Sequence, residues 1–373
     1  MINRLLQGSL EERMGQGKAL IVFGARQVGK TTMLKSMFSA RNDVLWLNGD
    51  EQDVRSLFEN VSSVRLKAII GNKKILVIDE AQRIANIGIC IKLITDNISE
   101  VQVVATGSSS FDLSNILHEP LTGRKFEFLM FPLSFAELVG HHGLLDEKRM
   151  LSHRLVYGCY PDVVTHQGDE KLVLNELADS YLYKDILMFD KIKKSDKLVK
   201  LLQALAFQIG SEVSYNELSQ ICGLDPKTVE NYVQLLEQSY IIFRLGSFSR
   251  NLRNELKFAR KIYFWDCGIR NAVIGNFQEP ELRMDIGALF ENYVIAERLK
   301  KLHYEKSYAK SYFWRTTAKQ EIDYVEEVDG RLTAFEFKWN PKRKAAVPLG
   351  FSRSYKDAMF MVITRDNYEE FIF

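Results

Sequence analysis

A chain of 373 residues exceeds one typical folding core, so two or three domains are expected. With 46% hydrophobic and 26% charged residues it has the make-up of an ordinary globular protein, and 50 Lys plus Arg against 48 Asp plus Glu exclude a polyanion partner recognised by net charge alone. Cys90, Cys159, Cys222 and Cys267 are far apart and argue against a zinc knuckle or disulfide framework; with no signal-peptide pattern and no run of roughly 18 apolar residues, a cytoplasmic location without a membrane partner is expected.

The first informative stretch is residues 20–32. An apolar run at 20–23 reads as a buried parallel strand, and the residues after Thr32 place apolar side chains at helical spacing. Between them Gly24, Ala25, Arg26, Gln27, Val28, Gly29, Lys30 and Thr31 fit G-x-x-x-x-G-K-[ST] at every fixed position, a Walker A loop in its strand, loop, helix setting. The two glycines let successive amides turn inward around a triphosphate at the positive end of the helix, so the nucleotide-contacting set runs from Gly24 to Thr32. Lys30 is expected to reach the β- and γ-phosphates and the Thr31 hydroxyl to ligate Mg2+, which makes ATP and Mg2+ the expected cofactors.

Residues 44–48 read as a second short strand that ends in the acidic turn Gly49-Asp50-Glu51, and a helix is expected over 53–70. An apolar strand at 75–78 ends in Asp79 and Glu80. About 50 residues after a Walker A loop this is a Walker B strand, with Asp79 holding the magnesium shell and Glu80 orienting or deprotonating the attacking water. A further strand at 101–105 ends in Thr106-Gly-Ser108-Ser-Ser110. In a doubly wound sheet ligands sit beyond the carboxyl ends of the strands, so Thr106 or Ser108 is placed to sense the γ-phosphate, the alternative being a cap or turn before Phe111. Arg124, ahead of an alternating strand at 126–131, is a candidate for stabilising phosphate charge in cis or across a subunit contact. A solvated surface arginine is its plainer reading.

The motifs at 24–32, 75–82 and 106–110, the pair Gly123 and Arg124, and Phe131-Pro-Leu-Ser-Phe-Ala-Glu-Leu138 together resemble prokaryotic AAA-type ATPases of the archaeal, STAND-related branch. Members of that family carry a C-terminal domain of uncharacterised function, and the resemblance covers nearly the whole chain. Tyr157-Gly158-Cys159-Tyr160-Pro161 is similar to the family's G-G-x-P element, with Cys159 in place of the second glycine. The resemblance implies an ATPase core at 1–140 and a helical lid near the nucleotide at 141–195.

Residues 197–209 put Leu198, Leu201, Leu202, Leu205 and Ile209 on one helical face. Ser214 and Glu217 form a capping box for a second helix ending near Cys222-Gly223. Asp225-Pro226 starts a third, with Val229, Tyr232, Val233 and Leu236 inward and Lys227, Thr228, Asn231 and Gln234 outward. Three short helices followed by strands at 240–245 and 261–265 predict a winged helix-turn-helix at 196–270. Arg244, Arg250, Arg253, Lys257, Arg260 and Lys261 face only Glu255, a local charge of +5. That suits phosphate contacts on duplex DNA, or it is a solvated face of a module that only packs on the ATPase.

In the last third, a helix over 285–297 carries Glu291, and strands are expected at 312–315, 321–325 and 332–339. Glu336 and Lys338, two apart on a strand, leave it on one face. Asp323 precedes Glu336 by a strand, a turn at Asp329-Gly330 and an antiparallel return, so Asp323, Glu336 and Lys338 can converge. The order of helix Glu, strand Asp and Glu-x-Lys looks like the PD-(D/E)XK nuclease superfamily, without the signature proline, since Ile322 precedes Asp323. The resemblance implies Glu291, Asp323 and Glu336 as ligands of a second Mg2+ or Mn2+, with Lys338 catalytic. The alternative is a degenerate fold whose carboxylates and lysine form an ion-pair network.

The expected fold is therefore α/β: a P-loop NTPase parallel sheet, a helical lid and winged helix, then a restriction-endonuclease-like α/β domain at 271–373. The leading expectation is ATP binding and hydrolysis, catalysed through Lys30 and Glu80, whose nucleotide state controls a winged-helix and nuclease-like module on DNA. A STAND-type signalling switch that binds protein partners and an ATP-dependent DNA-binding regulator stay open, as does the oligomeric state.

Overall fold

A computed structural model describes residues 2–107, 121–179, 195–249 and 260–373. It divides into two compact units, Met1–Pro132 with Gln238–Tyr240, and Leu133–Glu237 with Ile241–Phe373.

In the first unit β1 (Ala19–Gly24), β2 (Val44–Asn48), β3 (Ile75–Asp79), β4 (Gln102–Gly107) and β5 (Lys125–Met130) form one parallel sheet in the order β2-β3-β4-β1-β5. Every residue of β1 is buried, as are the four apolar residues of β3, which is what a parallel sheet covered on both faces requires. The helix Ile87–Asn97 brings Ile87, Ile91 and Ile94 to the same core as Ile21, Leu76 and Ile78. Each such buried side chain contributes about 1.5–3 kcal/mol, enough to fix the helix on the sheet. Because β3, β4 and β1 are neighbours, their carboxyl ends, which carry Asp79, Thr106 and the glycine loop, fall side by side.

The helix expected over 53–70 is broken in two, Gln52–Leu57 and Ser63–Ile70. Asn60 takes a left-handed conformation at φ 51°, and the Ser62 hydroxyl accepts the Arg65 N–H as the cap of the second helix. Asn tolerates that backbone and Ser is a favoured cap, so local polar chemistry interrupts the apolar spacing.

The second unit holds a seven-stranded mixed sheet in the order β12-β11-β10-β9-β7-β8-β6 among the described residues. Its strands are β6 (Glu212–Val213), β7 (Ile242–Ser247), β8 (Arg260–Phe264), β9 (Lys310–Arg315), β10 (Glu321–Val328), β11 (Arg331–Lys338) and β12 (Met359–Thr364). The helices Ser195–Phe207, Tyr215–Cys222 and Pro226–Gln238 form as read from the sequence, and β8 pairs antiparallel with both β6 and β7. The expected boundary at 270 is bridged by backbone pairing: β7 continues in parallel onto β9 through Gly246 opposite Tyr312 and Ser247 opposite Phe313. Residues 196–270 and 271–373 thus share one sheet.

The described part of the segment expected as a lid is a run of short helices, from Leu144–Arg149 to Glu170–Leu177, and it belongs to the second unit. Gly158, at φ 72°, lies so close to Asp266 that a Cβ would stand 2.1 Å from its Oδ1. The Cys159 N–H donates to Asp266 Oδ2 at 2.6 Å, while Asp266 Oδ1 accepts from Ile269 and caps the helix Cys267–Val273. The element therefore serves to seat a buried aspartate in its own unit. A backbone amide does the work, so Cys159 replaces a glycine at no cost to that bond. No described helix is long and apolar enough to cross a membrane, and all four cysteines are free and buried.

Candidate functional site

The loop after β1 has the backbone its motif demands. Gly24 sits at φ 151°, and a Cβ there would stand 2.2 Å from the Met130 carbonyl oxygen; Gly29, at φ 95°, caps the helix Lys30–Met37, and Gln27 is also left-handed. Only glycine fits that close approach at Gly24. Ala25 and Val28 are buried while Arg26 and Gln27 face solvent. The buried Lys30 ammonium donates to the carbonyls of Gly24 and Ala25, both at 2.8 Å, so it lies across the loop it serves. Arg4 braces the loop from outside the motif, donating to the Val28 carbonyl at 2.5 Å and the Phe131 carbonyl at 2.7 Å.

Asp79 receives two hydroxyls: Thr31 Oγ1 donates to Oδ2 at 2.8 Å and Thr106 Oγ1 donates to Oδ1. The same Thr106 oxygen accepts the Glu80 N–H at 3.2 Å, and Glu80, left-handed at φ 48°, has its carboxylate held by the Gln82 amide at 2.6 Å. Gly49 packs under this turn, its N–H on the Asp79 carbonyl at 2.8 Å and its Cβ position 2.4 Å from the Glu80 carbonyl. Thr106, read from the sequence as a phosphate sensor or a cap, is a fully buried support for both Walker B acids. The residues fit a magnesium nucleotide: a glycine cradle that a Cβ would fill, an ammonium on neutral carbonyls, and a carboxylate facing a hydroxyl that is a magnesium ligand by type.

Arg124 does not join this set. The Ala19 N–H donates to the Arg124 carbonyl, so Arg124 stands at the amino end of β1, about 17 Å of strand from Gly24. Its guanidinium pairs with Asp96 at 2.6 Å, and the expected phosphate contact in cis is corrected accordingly. Ser108 lies outside the described residues.

In the second unit Glu291, Asp323, Glu336 and Lys338 do gather, joined by three residues that sequence reasoning did not assign there: Lys261, Tyr263 and Glu321. Glu291, on the helix Ile286–Tyr304, accepts from Tyr263 Oη at 2.6 Å and Lys261 Nζ at 3.4 Å. Lys261 Nζ is 2.5 Å from Glu321, which is also 3.7 Å from Arg315. Asp323 accepts the Phe337 N–H at 2.9 Å, and Lys338 donates to Glu336 at 2.5 Å. Burial, then the charges of Glu291 and Glu336, push the Asp323 carboxyl up to about 8, and burial raises Glu291 against the pull of Lys261. Among the described residues no three His, Cys, Asp or Glu side chains are disposed to hold one metal ion, so the expected ligand set of Glu291, Asp323 and Glu336 is not formed as such. Their oxygens are turned to internal donors instead.

The basic stretch also reads differently in space. Lys261 is buried, and Arg244 is half-buried and paired with Glu237. Arg250, Arg253 and Lys257 lie outside the described residues. On the helix Pro226–Gln238, Lys227, Asn231 and Gln234 are exposed, and Thr228 bonds back to Asp225.

Residues 16–139 match the family model of an AAA domain, and residues 148–280 and 286–370 match two domains of unknown function, DUF8612 and DUF4143. An uncharacterized protein of Methanocaldococcus jannaschii is 22% identical over 268 residues, 66% of this chain and 60% of its own length. One of Mycobacterium tuberculosis is 24% identical over 358 residues, 94% of this chain and 75% of its own. The chain thus spans less than two thirds of the first relative and three quarters of the second. A Walker-type ATPase of Pyrococcus abyssi superposes with a TM-score of 0.51 at 14% identity, over 73% of this chain and 96% of that one, which bears on the fold. The first unit is an AAA-type P-loop domain.

Proposed function

We propose that the chain binds ATP with Mg2+ in the first unit and hydrolyses it, and that the nucleotide state controls how the second unit engages duplex DNA. The observation that carries the first part is the shared support of the two Walker B acids, Thr106 bonding to Asp79 and to the Glu80 backbone. Lys30 would exchange the Gly24 and Ala25 carbonyls for phosphate oxygens. Thr31 and Asp79 would hold Mg2+, which when bound neutralises phosphate charge. Glu80, fixed by Thr106 and Gly49, would orient the attacking water and take its proton. The test is paired. Lys30→Ala abolishes hydrolysis, and Glu80→Gln keeps ATP binding while turnover falls by about 10²–10⁴. Equal turnover by wild type and Glu80→Gln refutes the assignment.

Support for the DNA reading comes from the order of helix, strand, two helices and two strands, with β6, β8 and β7 paired as a winged helix pairs them. The exposed face of Pro226–Gln238 would be the contact. Between cleavage and regulation, the paired state of Glu336, Glu291 and Lys338 favours an ATP-dependent DNA-binding regulator over a nuclease. Metal-dependent nicking of plasmid DNA separates cleavage from regulation, and salt-dependent duplex binding tests the DNA contact itself: Lys227→Ala flattens the slope by about one phosphate contact. A protein that binds no duplex is better read as a STAND-type switch acting on protein partners.

A further inference from the structure

We propose that Lys261 is a built-in cation that stands where a divalent metal would neutralise the carboxylates of the second unit, so that this cluster is complete without metal in the folded protein. The nuclease resemblance assigns a metal to Glu291, Asp323 and Glu336. The geometry assigns the Glu291 charge, with that of Glu321 beside it, to Lys261 from another part of the sheet, and the Glu336 charge to Lys338.

Lys261 and Tyr263 are two apart on β8, so both side chains leave it on one face, and both reach Glu291. The Lys261 ammonium also touches Glu321 on β10 at 2.5 Å and lies over the Phe313 ring at 5.5 Å, with 2% of its side chain exposed. An ammonium this deeply buried persists only against paired carboxylates. Each assigned ligand already has its donor: Glu291 has Tyr263 and Lys261, Asp323 has the Phe337 N–H, and Glu336 has Lys338. A divalent ion entering here would meet the Lys261 ammonium at close range, where like charges repel.

The inference is independent of the nucleotide and DNA readings, and its readout is metal binding. Thermal unfolding is followed by tryptophan fluorescence without nucleotide, with and without Mn2+, in an Asp79→Asn background so that the first unit holds no divalent ion. The Lys261-containing protein and its Lys261→Arg variant keep the same melting temperature in Mn2+. Lys261→Met, and Lys261→Met with Glu321→Gln, gain roughly 5–10 °C at about 100 times the dissociation constant. Should Lys261→Met fold only in Mn2+, that rescue is the same result. A Mn2+ shift in the Lys261-containing protein equal to that of Lys261→Met overturns the proposal. So does the absence of any Mn2+ effect, on melting or refolding, in both Met variants.

Discussion

Asp323 ties the second unit's stability to pH in a direction opposite to that of most carboxylates. Burial first, then Glu291 and Glu336, raise it from 3.8 to about 8. A raised acid favours the folded state below its unfolded pKa, and the contribution is lost as pH rises through the folded value. At about 1.4 kcal/mol per unit, the loss between pH 5 and pH 8 has a ceiling of roughly 4 kcal/mol, which water entry on ionisation lowers to about half. The Asn side chain of Asp323→Asn can still accept the Phe337 N–H and carries no charge at any pH. Urea unfolding in EDTA, read by tryptophan fluorescence, suits the measurement because three of the four tryptophans, Trp265, Trp314 and Trp339, lie in the second unit. Wild type should lose stability from pH 5 to pH 8 more steeply than Asp323→Asn, and the variant should be the more stable at pH 8. Parallel curves would refute the reasoning, since the carboxyl would then ionise equally in both states.

Gly49→Ala drives a methyl to 2.4 Å from the Glu80 carbonyl, so ATP turnover should fall by about 10-fold or more while ATP affinity, read by a fluorescent analogue, is kept. Thr106→Val leaves the Glu80 N–H unpaired and should cost about 1–3 kcal/mol in denaturant melts of the first unit, whereas Thr106→Ser retains the bonds and the activity. Gly158→Ala forces a Cβ against Asp266 at a left-handed φ, and should destabilise the second unit by about 2–4 kcal/mol without changing nucleotide binding.

The Walker loop was readable because its motif is contiguous: Gly24, Gly29, Lys30 and Thr31 lie in one turn, and the backbone angles found at the two glycines follow from the residue type. Thr106 was half readable, since a hydroxyl at a strand's carboxyl end was expected there but its bond to Asp79 depends on β3 and β4 being neighbours. Arg4 left no local trace, because it braces carbonyls 24 and 127 residues away. The gathering of Asp323, Glu336 and Lys338 followed from strand alternation and the turn at Asp329-Gly330, and the β10 and β11 register brings it about. Counting charge between Arg244 and Lys261 overstates it at two of the six basic positions, since Lys261 is buried and Arg244 is paired with Glu237, and a sum carries no burial. The aromatic Tyr263 two residues on, on the same strand face, was the available sign that this lysine faced inward.

The two acidic clusters differ in what meets their oxygens, and that difference predicts where a cation can enter. In the first unit Asp79 is met by the neutral hydroxyls of Thr31 and Thr106, and Lys30 rests on carbonyls, so a metal arriving with phosphates replaces dipoles. In the second unit Glu336 is met by Lys338, Glu291 by Lys261, and Glu321 by Lys261 and Arg315, so a metal would have to displace ammonium and guanidinium groups held in low dielectric. Displacing a hydroxyl costs one weak hydrogen bond, about 1 kcal/mol, while stranding a buried lysine costs several times that. A divalent ion held through Thr31 and Asp79 would therefore be kept out of the second cluster by charges already present. Isothermal titration with Mn2+ should find one class of site, lost in Asp79→Asn; a second class surviving that substitution would show that the lysine gives way.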